Sequence, residues 1–234
     1  MQAIILAGGK GTRLGSITKK IPKPMVKIGS KPIIWHIMNH LSSHGINDFI
    51  ICTGYKEKII KKYFLNLKKK WNVKCIYTGL NTLTGRRIGL ISKYIKNNDF
   101  LMTYGDGVSS INLKKLIKTH KKKNKLATVT AVSQIPRFGA LNINNNLVTK
   151  FAEKSSENTN LINGGFFILK KDIFKFLDLK KNVMWEQQPM LVLTKKKQLA
   201  AYVHKGFWYP MDTERDQKFL NEIRKKKLHC FKND

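Results

Sequence analysis

Acidic side chains are scarce in this 234-residue chain: 14 Asp and Glu stand against 45 Lys and Arg, a formal net charge of +31. Cysteine is scarcer still. Cys52, Cys75 and Cys230 are odd in number and far apart, which excludes a disulfide framework and the paired spacings of a zinc site. Buried or idle thiols in a reducing cytoplasm are the expectation. No apolar run approaches about 18 residues, so no membrane-spanning helix is predicted. The apolar stretch at residues 3–7 is too short for the hydrophobic region of a secretory signal. Two common phosphate loops are also missing. The string Gly-x-x-x-x-Gly-Lys-Ser/Thr does not occur, and Gly8, Gly9 and Gly11 are out of register with Gly-x-Gly-x-x-Gly.

What is present begins with Leu6-Ala7-Gly8-Gly9-Lys10-Gly11-Thr12-Arg13-Leu14, followed by Pro22-Lys23-Pro24. A short apolar strand runs straight into three glycines. Glycines let backbone N–H groups approach an anion with no side chain in the way. Arg13 and Lys23 add charge-assisted donors for phosphate oxygens. The pattern points to a phosphorylated ligand.

The excess positive charge invites a nucleic-acid reading, but its distribution argues against one. Lysines cluster at residues 68–70, 121–123, 195–197 and 225–227, at predicted helix ends and loops, with no aromatic interleaving. A lysine-rich surface that attracts anionic substrates is the simpler account. His36, His40 and His44 recur at every fourth residue and share one side of a predicted helix. Without carboxylates or cysteines nearby they read as packing or solvent-facing groups.

Short β-type runs alternate with helical patterns, which predicts an α/β sheet with helices on its faces. Strands are expected at residues 3–6, 49–53, 73–77, 100–104 and 126–132, then at 141–143, 147–152, 166–169 and 199–204. Ile33, Ile34, Ile37, Met38 and Leu41 form a helical stripe. Asn112 caps the helix bearing Leu113, Leu116 and Ile117. An amphipathic helix is expected within residues 212–227. The length suits one domain, residues 1–234, in which residues 1–132 carry the phosphate-loop pattern and residues 133–234 change character.

Gly105-Asp106-Gly107 closes a strand at the expected carboxyl edge of the sheet, where open α/β sheets bind ligands. Mg²⁺ takes one or two carboxylates plus substrate phosphate oxygens, so a second carboxylate is wanted. Asp212 is the candidate, although Asp212-Thr213-Glu214 also reads as the N-cap of the last helix.

The full opening string with Pro22-Lys23-Pro24 resembles the signature of the sugar-1-phosphate nucleotidyltransferases. Further blocks are similar to their glucose-1-phosphate cytidylyltransferase branch: residues 33–38, 45–49, 54–56, 103–107, 137–141, 162–167, 185–187 and 206–208. The resemblance implies a Rossmann-like nucleotidyltransferase fold with a mixed central sheet flanked by helices, a homo-oligomer, and a cytoplasmic enzyme of nucleotide-sugar synthesis. It implies CTP and glucose 1-phosphate as substrates, without specific nucleic-acid or membrane partners. The same chemistry with UTP, dTTP or GTP, or with another sugar 1-phosphate, is the alternative. A non-catalytic sugar-nucleotide or polyanion-binding protein is another, but it would need no metal carboxylates.

In this reading Leu6, Ala7, Gly8, Gly9, Gly11, Thr12 and Arg13 hold the nucleotide, with Thr82, Gly85, Arg87 and Gly105. Arg13, Lys23 and Asp106 are catalytic, and Asp106 and Asp212 hold Mg²⁺. Glu153, Lys154, Asn163, Gly164, Trp185 and Glu186 take the sugar phosphate. The chain departs from the branch in three places. Residues 64–78 are fewer than usual, Arg86 stands where a second glycine is usual, and Ser155 replaces the proline after Glu-Lys.

Overall fold

The computed structural model describes residues 1–133, 140–144, 146–152 and 160–231. The strands are β1 (Gln2–Leu6), β2 (Lys27–Ile28), β3 (Lys31–Pro32), β4 (Asp48–Thr53), β5 (Asn72–Tyr77), β6 (Asp99–Tyr104), β7 (Gly107–Ser109), β8 (Ala127–Ser133), β9 (Ala140–Asn144), β10 (Leu147–Ala152), β11 (Leu161–Lys170), β12 (Leu199–His204) and β13 (Trp208–Pro210). The helices are α1 (Ser16–Lys20), α2 (Ile33–Ser43), α3 (Glu57–Leu65), α4 (Thr84–Leu90), α5 (Leu113–Lys123), α6 (Ile173–Phe176), α7 (Gln188–Lys195) and α8 (Glu214–Lys225).

One seven-stranded sheet runs in the order β12-β8-β11-β6-β1-β4-β5. β6, β1, β4 and β5 are mutually parallel, as are β8 and β12, while β11 is antiparallel to both its neighbours. The sheet is therefore mixed, as the resemblance implied. Each strand feeds two cores by its period of two. In β1, Ala3 and Ile5 face one layer, and Ile4 and Leu6 the other. The first layer is closed by Ile33, Ile34, Ile37, Met38 and Leu41 of α2 with Leu113 and Leu116 of α5. The second is closed by Ile88 of α4, then Ile91, Ile95, Trp185 and Leu193 of α7.

Helix ends follow local chemistry. The Asn112 side chain accepts a hydrogen bond from Lys115 N at 3.0 Å, the expected cap. The last helix starts later than expected. Its cap is Thr213, in a reciprocal capping box with Asp216. Asp212 thus lies outside the helix. β11 is longer than the predicted apolar run, because Leu161, Ile162 and Asn163 extend it across a register shift beside β8.

Two features bring the site together. At the carboxyl ends of the parallel strands, Leu6 lies opposite Tyr104, and Gly105 N donates to Leu6 O at 3.1 Å. The glycine loop after β1 and the Gly105-Asp106-Gly107 corner after β6 are therefore neighbours. A short ribbon then pairs β7 with β13, Pro210 opposite Gly107, and Met211 N donates to Asp106 O at 2.9 Å. This ribbon carries Asp212 to the side of Asp106.

Candidate functional site

A cleft of about 400 Å³ opens at this sheet edge, lined by residues 6–9 and 11–13 of the glycine loop, by Lys23 and Pro24, by Thr82, Leu83, Thr84 and Arg87, and by Tyr104, Gly105, Asp106 and Asp212. Its floor is a cluster of opposite charges. Lys23 Nζ lies 2.6 Å from Asp106 Oδ2 and 2.7 Å from Asp212 Oδ1, and Arg13 Nη1 lies 3.0 Å from Asp212 Oδ2. Burial works against the Lys23 charge, but Asp106 and Asp212 outweigh it and hold the ammonium above its ordinary range. The Arg13 side chain is 76% exposed despite this pairing.

The loop owes its shape to what lies behind it. Gly11 has φ +64°, and a Cβ there would meet Lys23 Cβ at 2.7 Å. That close approach sets Lys23, in its turn at Lys23–Met25, against the glycines. A Cβ on Gly8 would meet the Arg87 guanidinium at 2.1 Å. Arg87 is 3% exposed. It donates to Gly8 O (3.1 Å), Thr53 O (3.2 Å), Gly79 O (2.9 Å) and Thr78 Oγ1 (2.5 Å). It thereby ties the glycine loop to the chain leaving β4 and β5. Burial lowers its pKa, yet a guanidinium stays protonated.

Of the residues predicted for the nucleotide, only Gly85 is kept out of the cleft. It is buried, and a Cβ there would meet Val183 O at 2.9 Å, so its small size serves the packing of α4 on the segment before α7. The sugar-side set divides. Glu153 and Lys154 lie outside the described residues. Glu186 accepts from the Tyr104 hydroxyl and, at 2.7 Å, from Thr84 Oγ1. The Asn163 side chain also reaches the Tyr104 hydroxyl. Burial first, and then Glu186, raise the Tyr104 pKa. Gly164 is buried against β8, where a Cβ would meet Val132 Cγ1 at 2.8 Å, and its carbonyl accepts from Trp208 Nε1. Trp185 requires correction. It is fully buried, edge-on to Phe167, and belongs to the core instead of the sugar site.

Sequence reasoning missed Tyr104 and Thr84. Their only local signals were the position just before Gly105-Asp106-Gly107 and at the start of a helix. It also missed Asp216, whose Oδ2 accepts from Asp212 N (3.0 Å), Thr213 N (2.8 Å) and Thr213 Oγ1 (2.9 Å), and whose Oδ1 accepts from the Tyr209 hydroxyl (3.1 Å).

The donor set suits a hard divalent cation. Two carboxylates converge on one ammonium, and both offer oxygen. Among the described residues no group of three or more His, Cys, Asp and Glu gathers as an all-protein cage. Mg²⁺ needs none when substrate phosphates complete its shell. The helical histidines are engaged otherwise: His36 Nε2 with Ile28 O and His40 Nε2 with Ile111 O, both at 2.9 Å.

Comparison with known proteins places the chain in a family. The chain is 43% identical to a glucose-1-phosphate cytidylyltransferase of Salmonella typhimurium, covering 97% of this chain and 96% of that protein. It is 40% identical to a probable glucose-1-phosphate cytidylyltransferase of Bacillus subtilis, covering 95% and 96%. Among solved structures, HddC from Yersinia pseudotuberculosis complexed with GMP-PN superposes with a TM-score of 0.74 at 29% identity, covering 94% and 98% of the two chains. The family model described as Nucleotidyl transferase matches residues 2–219. The family match and the identity both extend over nearly the whole sequence, and the chain belongs to the nucleotidyl transferase family.

Proposed function

We propose that this protein transfers a cytidylyl group from CTP to glucose 1-phosphate, giving CDP-glucose and pyrophosphate. The observation that carries the chemistry is the approach of Lys23 Nζ to Asp106 (2.6 Å) and to Asp212 (2.7 Å) beside the glycine loop. The substrates rest on the similarity to the two cytidylyltransferases.

A phosphate oxygen of the sugar phosphate attacks the α-phosphorus in line, the new P–O bond forms, and the bond to the β-phosphate oxygen breaks. The attacking group is already an anion near neutral pH, so the chain has no proton to remove. Its task is to hold two anions together and to offset the charge that develops. Backbone N–H groups of the glycine loop cradle the triphosphate. Arg13 takes the leaving β- and γ-phosphates, and Lys23 the phosphates at the reacting centre. Arg87 holds Gly8 from behind, and Thr82 lines the base side. Asn163, Tyr104 and Glu186 form the sugar side, and the resemblance adds Glu153 and Lys154 as ligands of the sugar phosphate. Asp106 and Asp212 are the residues that would hold Mg²⁺. When bound, the ion neutralises phosphate charge and aligns the two substrates.

Pyrophosphate release tests this, with CTP, UTP, dTTP, GTP and ATP crossed against glucose 1-phosphate and other sugar 1-phosphates. Release confined to CTP and glucose 1-phosphate is expected. Release with another pair keeps the mechanism and replaces the substrates. Asp106→Asn should lower turnover by at least about 10²-fold, the scale of lost transition-state electrostatics. Turnover near that of the wild type would remove Asp106 from the centre. A homo-oligomer in a reducing cytoplasm completes the proposal, and sedimentation velocity tests the assembly.

A further inference from the structure

The same lysine that is assigned to the substrate phosphates sits between the two carboxylates assigned to the cation. Its Nζ is within hydrogen-bond distance of both, and Arg13 engages the other oxygen of Asp212. We propose that Lys23 is an internal counter-ion that blocks the cation site until a polyphosphate draws it away, so that nucleotide and divalent cation load together and the cation alone binds poorly. This rests on the functional reading above and adds an order of binding to it.

The physical argument is one of charge and position. Asp106 and Asp212 come from different elements, the corner after β6 and the strand end after β13. Brought together in a half-buried floor they would repel each other, and the Lys23 ammonium cancels that repulsion. Its stem is fixed by Pro22 and Pro24 and by contact with Gly11, only 12% of the side chain is exposed, and among the described residues its ion pairs are with Asp106 and Asp212. A divalent cation arriving alone must displace an ammonium already bonded to both ligands. A triphosphate supplies oxygens to Lys23 and to the more exposed Arg13, and the carboxylates are released to the cation that travels with it. Asp212 is held for this exchange from its backbone side by Asp216, which does not depend on Lys23.

Mn²⁺ titration followed by electron paramagnetic resonance, in the absence and presence of CTP, reads the proposal without turnover. Wild type should bind Mn²⁺ alone weakly. Lys23→Met, which removes the charge and keeps the stem, should bind Mn²⁺ alone at least about tenfold more tightly, because the carboxylates then repel each other unless a cation sits between them. Lys23→Arg should stay as weak as wild type. The melting temperature gives a second readout: Mn²⁺ without nucleotide should raise that of Lys23→Met by more than that of wild type. Tight binding of Mn²⁺ to the wild-type protein without nucleotide would overturn the blocking role whether or not the variant folds. Equal affinities in wild type and Lys23→Met, with Mn²⁺–CTP still taken up, would overturn it as well and leave the functional reading standing. Failure of every form to bind Mn²⁺ even with CTP would overturn the functional reading and the inference with it.

Discussion

Arg87 spends one guanidinium on four acceptors, three of them backbone carbonyls from chain segments far apart in sequence. Replacing it by methionine leaves buried acceptors without that donor, and each unmet group costs about 1–3 kcal/mol. Thr53 O and Gly8 O keep their bonds from Thr78 N and Tyr55 N, which limits the loss. Arg87→Met should therefore destabilise the fold by about 2–4 kcal/mol in urea unfolding and loosen the glycine loop. A urea midpoint like that of the wild type would show that the guanidinium is not a clasp. At this scale the sequence was readable where function is written in a short string. Gly8, Gly9, Gly11, Arg13 and Lys23 fall within one stretch and could be found together. Arg87 was visible as a residue but not as the support of Gly8, because the bond joins positions 79 apart in sequence. Trp185 was ambiguous for a related reason: an indole in a loop-like segment reads equally as a ligand platform or as core, and only its neighbours decide.

At the scale of elements, the start of α8 does two things at once. The capping box satisfies the helix, and the same Asp216 carboxylate takes the backbone N–H of Asp212. Asp216→Ala should lower stability by about 2 kcal/mol, combining a lost cap with unpaired buried donors. It should also raise the Mg²⁺ concentration needed for half-maximal turnover, since Asp212 loses its anchor. Unchanged Mg²⁺ dependence would confine Asp216 to the cap.

Helix α2 carries a pH signature. Burial, and then its neighbour His44, pushes His40 from 6.5 down to about 4. Burial moves His120 and His204 in the same direction. Below pH 6.5 the unfolded chain takes up a proton that the native chain accepts only near the lowered value. Unfolding free energy therefore rises with pH across that window, is complete above it, and is lost as pH falls toward about 4. Urea unfolding at stepped pH should show the slope, and His40→Gln should flatten it. An unaltered slope would assign the effect to other groups. The elements themselves were largely legible, since the period of two in β1 and β4 and the stripe of α2 are local patterns. The start of α8 was not, because Asp212, Thr213 and Glu214 each suit a cap. The choice was made by Asp216 and by the ribbon that pairs Pro210 with Gly107.

Across the whole molecule, a formal charge of +31 surrounds a cleft that must capture two anions. Steering by that field should raise the association rate of nucleotide and fade with salt. The specificity constant for the nucleotide should thus fall as ionic strength rises from about 0.01 to about 0.15 M, as the screening length shrinks from about 30 to about 8 Å. A flat profile would show that the surface lysines act independently of capture. The pairing of Lys23 with Asp212 was the least legible feature at this scale, because it joins residues 189 apart through strands whose order is not the order of the sequence.

The reversed direction of β11 has a consequence for how such a protein can diversify. Nucleotide-side groups leave the ends of β1 and β6, whereas Asn163 and Gly164 enter at the beginning of β11, at the same sheet edge. In the proposed assignment the two substrates are thus served by chain running in opposite senses. Positions such as Asn163 can be changed without lengthening or re-aiming the loops that follow β1 and β6. Grafting that entry from a relative with another sugar preference is the natural way to exchange one substrate while keeping the other.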